Sequence, residues 1–237
     1  MTELPKGHPC EDCPVRPITI CRRLDAVTLA NLRALGTMQR LEPGQPIFHE
    51  GDPVRRVFML ASGSLKIYTL LADGRRQITG FMFPGDFLGI SIDDEYAFTA
   101  EALVRSELWW FTRDAFDRFV EDNPKVEREL YRLAAHELAA AQSQMVLLGR
   151  KTAAERLASF FLSLIARQEL VVGEKQAEFD LPMSRLDIAD YLGLTKETVS
   201  RMLAELRNRK FIRLMSQDRV QIIDRAGLQE MAAGFGE

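Results

Sequence analysis

Cys10, Cys13 and Cys21 stand in the pattern Cys-x2-Cys-x7-Cys, and they are all the cysteines of the 237-residue chain. Soft thiolates at such spacing can hold an iron-sulfur cluster or a zinc ion, or react as free thiols. Three thiols cannot form a fully paired disulfide framework, so in a reducing compartment metal binding or redox chemistry is the better reading. A second set lies near the other end of the chain. Glu197, Ser200 and Arg201 fall at i, i+3 and i+4, so a helix carrying them presents all three on one face. In the major groove of a duplex, Arg pairs bidentately with guanine O6 and N7, Glu accepts from cytosine N4, and Ser reaches a base or a phosphate. Thr195, Lys196 and Thr198 sit where phosphates approach a helix N-terminus, and would position rather than specify. The plainer alternative is a solvated helix face with a Glu to Arg pair.

The elements around this second set decide between the two. Ser184 followed by Asp187 reads as an N-cap with an acidic third residue, opening a helix that carries Leu186, Ile188, Ala189 and Leu192. Gly193 supplies a tight turn, and Thr195 can cap a second helix through Val199, Met202, Leu203 and Leu206. Two short helices joined across a glycine make a helix-turn-helix. Beyond it Phe211–Leu214 and Val220–Ile223 flank Ser216-Gln217-Asp218 as a hairpin-like wing. Residues 181–225 hold nine basic and six acidic side chains, a local net of +3, which leaves −6 for the rest of a chain whose formal charge is −3. That asymmetry suits an acidic sensing body carrying a mildly basic reading module.

From Leu41 to Phe111 short apolar runs alternate with glycines, as in Val57-Phe58-Met59-Leu60 and Leu65-Lys66-Ile67-Tyr68, and Asp73-Gly74 is a hairpin turn signal. This predicts a small antiparallel β-roll. After Asn123-Pro124 a run without Gly or Pro from Lys125 to Leu148 predicts a helix roughly 36 Å long at 1.5 Å per residue. Its residues Ala134, Leu138, Ala141, Met145 and Leu148 step by four and three, the seam of a two-stranded coiled coil. The same stripe also fits a helix packed on its own β-domain. A further helix is predicted over Thr152–Gln168. The expected fold class is therefore α+β: an arm over 1–22, a β-roll over 23–122, a dimerisation helix over 123–150, and a winged helix-turn-helix over 151–237.

Composition excludes several classes. With 46% hydrophobic and 27% charged residues and 14 Phe, the chain is neither disordered nor fibrous. No apolar stretch approaches the roughly 18 residues of a spanning helix, and the first residues lack a signal-peptide core, so the expectation is a cytoplasmic protein without membrane contact. A cupin-like metalloenzyme on the β-roll would need clustered histidines, whereas His8, His49 and His136 are scattered and no His-x-His occurs. Neither a phosphate-binding P-loop nor a nucleophile elbow is present.

The segment Leu192-Gly193-Leu194-Thr195-Lys196-Glu197-Thr198-Val199-Ser200-Arg201 resembles the recognition helix of the CRP/FNR superfamily of transcription regulators. Its Glu-x-x-Ser-Arg is the form of the FNR and FixK branches, and the likeness extends through the β-roll glycines, the long helix and Lys151-Thr152-Ala153-Ala154-Glu155-Arg156-Leu157. The resemblance implies a homodimer joined through the long helix, binding a palindromic TTGAT–ATCAA type of site in double-stranded DNA and contacting RNA polymerase as an activator. It does not carry over a cyclic nucleotide ligand. The arginine that grips the phosphate in nucleotide-binding relatives is replaced in Phe98-Thr99-Ala100, with Asp93, Asp94 and Glu95 nearby. The cysteine spacing resembles that of oxygen-sensing relatives holding a 4Fe-4S cluster, whose fourth cysteine falls here in Glu107-Leu108-Trp109-Trp110. Glu107, Glu101, an acid from Asp93 to Glu95, or His8 are the candidate fourth ligands. Oxygen would then act by dismantling the cluster and weakening the dimer. The alternatives are a FixK-like regulator whose thiols are redox-active, zinc-bound or silent.

Overall fold

The structure, a computed structural model, describes residues 4–235 apart from Pro9, Asp12, Pro14, Ile92, Gly173 and Gln217. Gln217 of the expected wing loop thus lies outside the described residues. The chain divides into two units, Met1–Glu137 and Leu138–Glu237.

In the first unit two 3-10 turns, Arg16–Ile18 and Ile20–Arg23, lead to helix α1 (Ala26–Leu35), which Asp25 caps by accepting from Thr28 N at 2.9 Å. Strands β1 (Thr37–Leu41), β2 (Pro46–Phe48), β3 (Arg56–Ser62) and β4 (Leu65–Leu70) follow. After them come β5 (Arg76–Met82), β6 (Phe87–Leu88), β7 (Thr99–Ala102) and β8 (Ser106–Thr112). They pair antiparallel into two sheets of order β1-β8-β3-β6 and β2-β7-β4-β5. Strand β3 reads Val-Phe-Met-Leu without alternation because both of its faces are covered. Phe58 and Leu60 join Leu41, Leu65, Ala100 and Leu108 inside the roll. Val57 and Met59 meet Leu29, Leu32, Phe116 and Phe119 outside it. At the β3–β4 turn Gly63 has φ of +88°, and an added Cβ would stand 2.7 Å from the Arg105 carbonyl oxygen, so only glycine fits.

Helix α2 (Arg113–Glu121) and the first turn of α3 (Pro124–Arg150) complete that outer cluster with Phe116, Phe119 and Val126. Proline at the first helical position needs no backbone donor, so α3 starts one residue before the predicted run and continues through Gly149. From Ala134 to Ser143 every residue of α3 is exposed. Leu138 and Met145 show 61% and 72% of their surface.

The second unit contains α4 (Ala153–Val172), β9 (Glu178–Asp180), α5 (Arg185–Leu192), α6 (Lys196–Asn208), β10 (Ile212–Leu214), β11 (Arg219–Ile222) and α7 (Arg225–Ala233). Helix α4 extends beyond the predicted Thr152–Gln168. The wing hairpin β10–β11 gains β9 as a third, antiparallel strand, an addition the sequence reading lacked. At the end of α4, Glu169 accepts two bonds from Arg225 of α7, at 2.5 and 2.9 Å. These bonds hold its carboxyl down at about 2. Leu186, on the first turn of α5, is half exposed. No helix among the described residues is long and apolar enough to cross a membrane.

Lys210, just past α6, has φ of +61°, the one non-glycine left-handed residue among those described. A side chain is strained there and glycine is not. Lys210→Gly is therefore expected to raise the unfolding free energy by about 0.5–1 kcal/mol in a urea melt. A lowered midpoint would show that the lysine's own contacts outweigh the strain.

Candidate nucleic-acid interface

The reading helix is set in place by local chemistry. Ser184 and Asp187 form a reciprocal capping box at the start of α5, each side chain accepting from the other's backbone N–H at 3.1 Å. Gly193 ends α5 in the left-handed conformation with φ of +62°. Thr195 then caps α6, accepting from Thr198 N at 3.2 Å. One side of α6 is driven inward by Val199, Leu203 and Leu206, all buried. The helix phase leaves Thr195, Lys196, Glu197 and Arg201 exposed, with Thr198 and Ser200 half-buried.

Glu197, Ser200 and Arg201 are thus brought to one face on the first two turns, where a groove would be met. Ser200 differs from expectation in its bonding. Its hydroxyl donates back to Lys196 O at 2.9 Å and accepts from Arg185 Nη1 at 3.4 Å. Residue periodicity could not show that bond, which brings Arg185, the exposed first residue of α5, beside the reading face. The wing adds exposed Arg213 and Arg219, the latter held by Glu178 of β9 at 3.1 Å.

The three cysteines gather at one place in the first unit. Cys21 is buried in the outer cluster, and Cys10, Cys13 and Trp109 pack against it. Burial pushes the Cys21 thiol up to about 11. It also raises that of Cys10, against the opposing pull of Arg33, whose guanidinium stacks 4.7 Å over Trp109. Burial thus favours the thiol form of Cys10 and Cys21, and a metal binding there would have to displace their protons. His8 has both ring nitrogens engaged, Nδ1 accepting from Cys10 N at 3.0 Å and Nε2 meeting Ala26 O at 2.8 Å. Three of the candidate acids carry ion pairs: Glu107 with Arg40 at 2.9 Å, Glu101 with Lys66 at 3.0 Å, and Asp94 with Arg113 at 3.8 Å. Among the described residues no three His, Cys, Asp or Glu side chains stand together closely enough to hold a metal ion. In the β-roll, Phe98 packs on the core with its ring 5.8 Å from Phe48.

A β-roll, a long helix and a winged helix-turn-helix with a charged reading face define the class as a DNA-binding protein with a separate β-roll unit. Comparison with known proteins agrees. Residues 38–123 match the cyclic nucleotide-binding domain and residues 155–231 the Crp-like helix-turn-helix domain. The chain is 39% identical to the nitrogen fixation regulation protein FixK of Bradyrhizobium diazoefficiens, over 97% of this chain and 96% of that one. It is 35% identical to the transcriptional activator protein FnrL of Cereibacter sphaeroides, over 95% and 92% of the two chains. Among solved structures, FixK2 from Bradyrhizobium japonicum superposes with a TM-score of 0.77 at 34% identity, over 83% of this chain and 96% of that one. The chain belongs to the CRP/FNR family of transcription regulators.

Proposed function

We propose that this protein is a homodimeric transcription activator that binds palindromic DNA of the TTGAT–ATCAA kind and contacts RNA polymerase there. The observation that carries the reading is the exposed Glu197 and Arg201 pair on the first two turns of a capped helix whose other side is buried. Half-sites about one helical turn apart, roughly 34 Å, suit two such helices related by a twofold axis. The uncovered Leu138 and Met145 seam supports the twofold partner, and the names of the relatives support activation. A gel shift on a TTGAT palindrome against a scrambled duplex tests it. Equal affinity for both would sink sequence-specific reading.

For the signal, we assign the response to oxygen or redox state to Cys10, Cys13 and Cys21. Two versions have support. Their spacing favours a 4Fe-4S cluster, whereas the partial exposure of Cys10 and Cys13 leaves two thiols within reach of an oxidant. Protein isolated without oxygen decides: about four iron and four sulfide per chain means the cluster. Iron-free protein with thiols that alkylate faster at half-buried Cys10 and Cys13 than at buried Cys21 means thiol chemistry. Iron-free protein whose DNA binding is the same in air and under reductant would remove the sensing assignment altogether.

A further inference from the structure

The Lys151–Leu157 stretch carries a residue that the reading face does not use. Arg156, on the first turn of α4, spreads its guanidinium over three backbone carbonyls. Nη2 donates to Leu148 O at 2.8 Å, Nε to Lys151 O at 2.9 Å, and Nη1 to Leu192 O at 2.8 Å. Leu148 lies in the last turn of α3 and Leu192 ends α5. Carbonyls at those positions have no donor within their own helices and carry the negative ends of two helix dipoles. One cation therefore closes both helix ends at once.

A second side chain repeats the link one turn earlier. Gln144 Nε2 donates to Tyr191 O at 3.1 Å, and Gln144 and Leu148 are four residues apart on the same face of α3. The junction continues into the turn itself. A Cβ added to Gly193 would stand 3.5 Å from Arg156 Nη1 and 3.6 Å from Leu148 Cδ2. Thr195, which starts the reading helix, is three residues beyond the anchored Leu192 carbonyl.

We propose that Arg156 and Gln144 are positioning residues that fasten the turn of the helix-turn-helix to the C-terminal end of α3, so that the aim of α6 follows where α3 ends. The proposal rests on the DNA reading above and deepens it by naming how that reading is held in register. Arginine suits the task because its planar fork offers several donors in fixed directions and keeps its charge, which a single ammonium on a flexible stem does not reproduce. Base-edge contacts need placement within about half an ångström, while phosphate contacts tolerate more. Loss of the fastening should therefore cost discrimination more than general affinity.

The test uses the full-length protein and the variants Arg156→Lys and Gln144→Ala, on a TTGAT palindrome and on random duplex of equal length. Arg156→Lys is expected to lose about tenfold or more on the palindrome, and Gln144→Ala about threefold, with random-duplex affinity within about twofold of the parent. Amide exchange supplies a readout independent of DNA. In Arg156→Lys, the amides of Gly193 and Leu194 should exchange faster while those around Phe160 and Phe161 keep their protection. Equal losses on both duplexes with a lowered melting temperature would reduce Arg156 to a stabilising residue and overturn the proposal. Unchanged exchange at Gly193 and Leu194 would overturn it whatever the DNA shows. A parent protein without palindrome preference, but with the exchange change present, would instead refute the reading function and leave the fastening standing.

Discussion

Glutamate at both Leu138 and Met145 is expected to turn the protein into a folded monomer that no longer holds its palindrome. In a single chain both side chains face solvent, so the unfolding free energy should change by no more than about 0.5 kcal/mol. In a pair of helices each would be buried against its counterpart, worth roughly 1.5–3 kcal/mol per side chain, and two positions on two chains multiply that loss. Like charges facing each other across a twofold axis add repulsion. Linked half-site binding then disappears, which lowers affinity for the palindrome by about 10²- to 10⁴-fold. Sedimentation, a melting curve and a gel shift read the three effects separately. A variant that stays dimeric would refute the seam. One that melts many degrees lower would show that α3 packs against its own chain.

Arg201→Ala should act on discrimination alone. A bidentate contact to guanine is worth about 1–3 kcal/mol, and the loss occurs in each of two half-sites, so the palindrome is expected to lose about 2–6 kcal/mol. Random-sequence affinity and the melting temperature should stay unchanged, since Arg201 is exposed and its removal uncovers no core. Lys196→Ala provides the contrast. It should weaken all duplexes alike and reduce the salt slope by about one per chain, as loss of a phosphate contact does. If Arg201→Ala weakens both duplexes equally, the guanidinium serves a phosphate and the base-reading role falls.

The features most legible in the sequence were those fixed within one or two turns of chain. Ser184 and Asp187, Gly193 and Thr195 each act on a neighbour three or four residues away, so spacing alone placed the helix-turn-helix. Helices α1 and α7 carried the same kind of sign in Asp25 and Asp224, each accepting a backbone bond three residues on, but the apolar residues of α1 are spread around the helix and no stripe stands out. Strand β9 has only three residues, and its partner lies about forty positions away in the wing, so no local pattern announces it. Long-range pairings were equally hidden. Glu107, Glu101 and Asp94, weighed as metal ligands, pair with Arg40, Lys66 and Arg113, and spacing does not reveal which cation the fold brings to a carboxylate. Leu186 shows the limit of binary patterning: an apolar type in an apolar run still faces water on the first turn of a short helix.

The bare stretch of α3 between Ala134 and Ser143 has a bearing on how long the protein survives. A helix exposed along such a stretch has little beyond its own hydrogen bonds to keep it wound, so brief unwinding there exposes a segment long enough to enter a protease. Coiling two copies together would seal the same peptide bonds. Turnover would then favour solitary chains, and the amount of regulator would settle near the concentration at which copies find each other. Digestion by a broad-specificity protease across a dilution series should place the first cut in this stretch only at low concentration; cleavage insensitive to dilution would rule the coupling out.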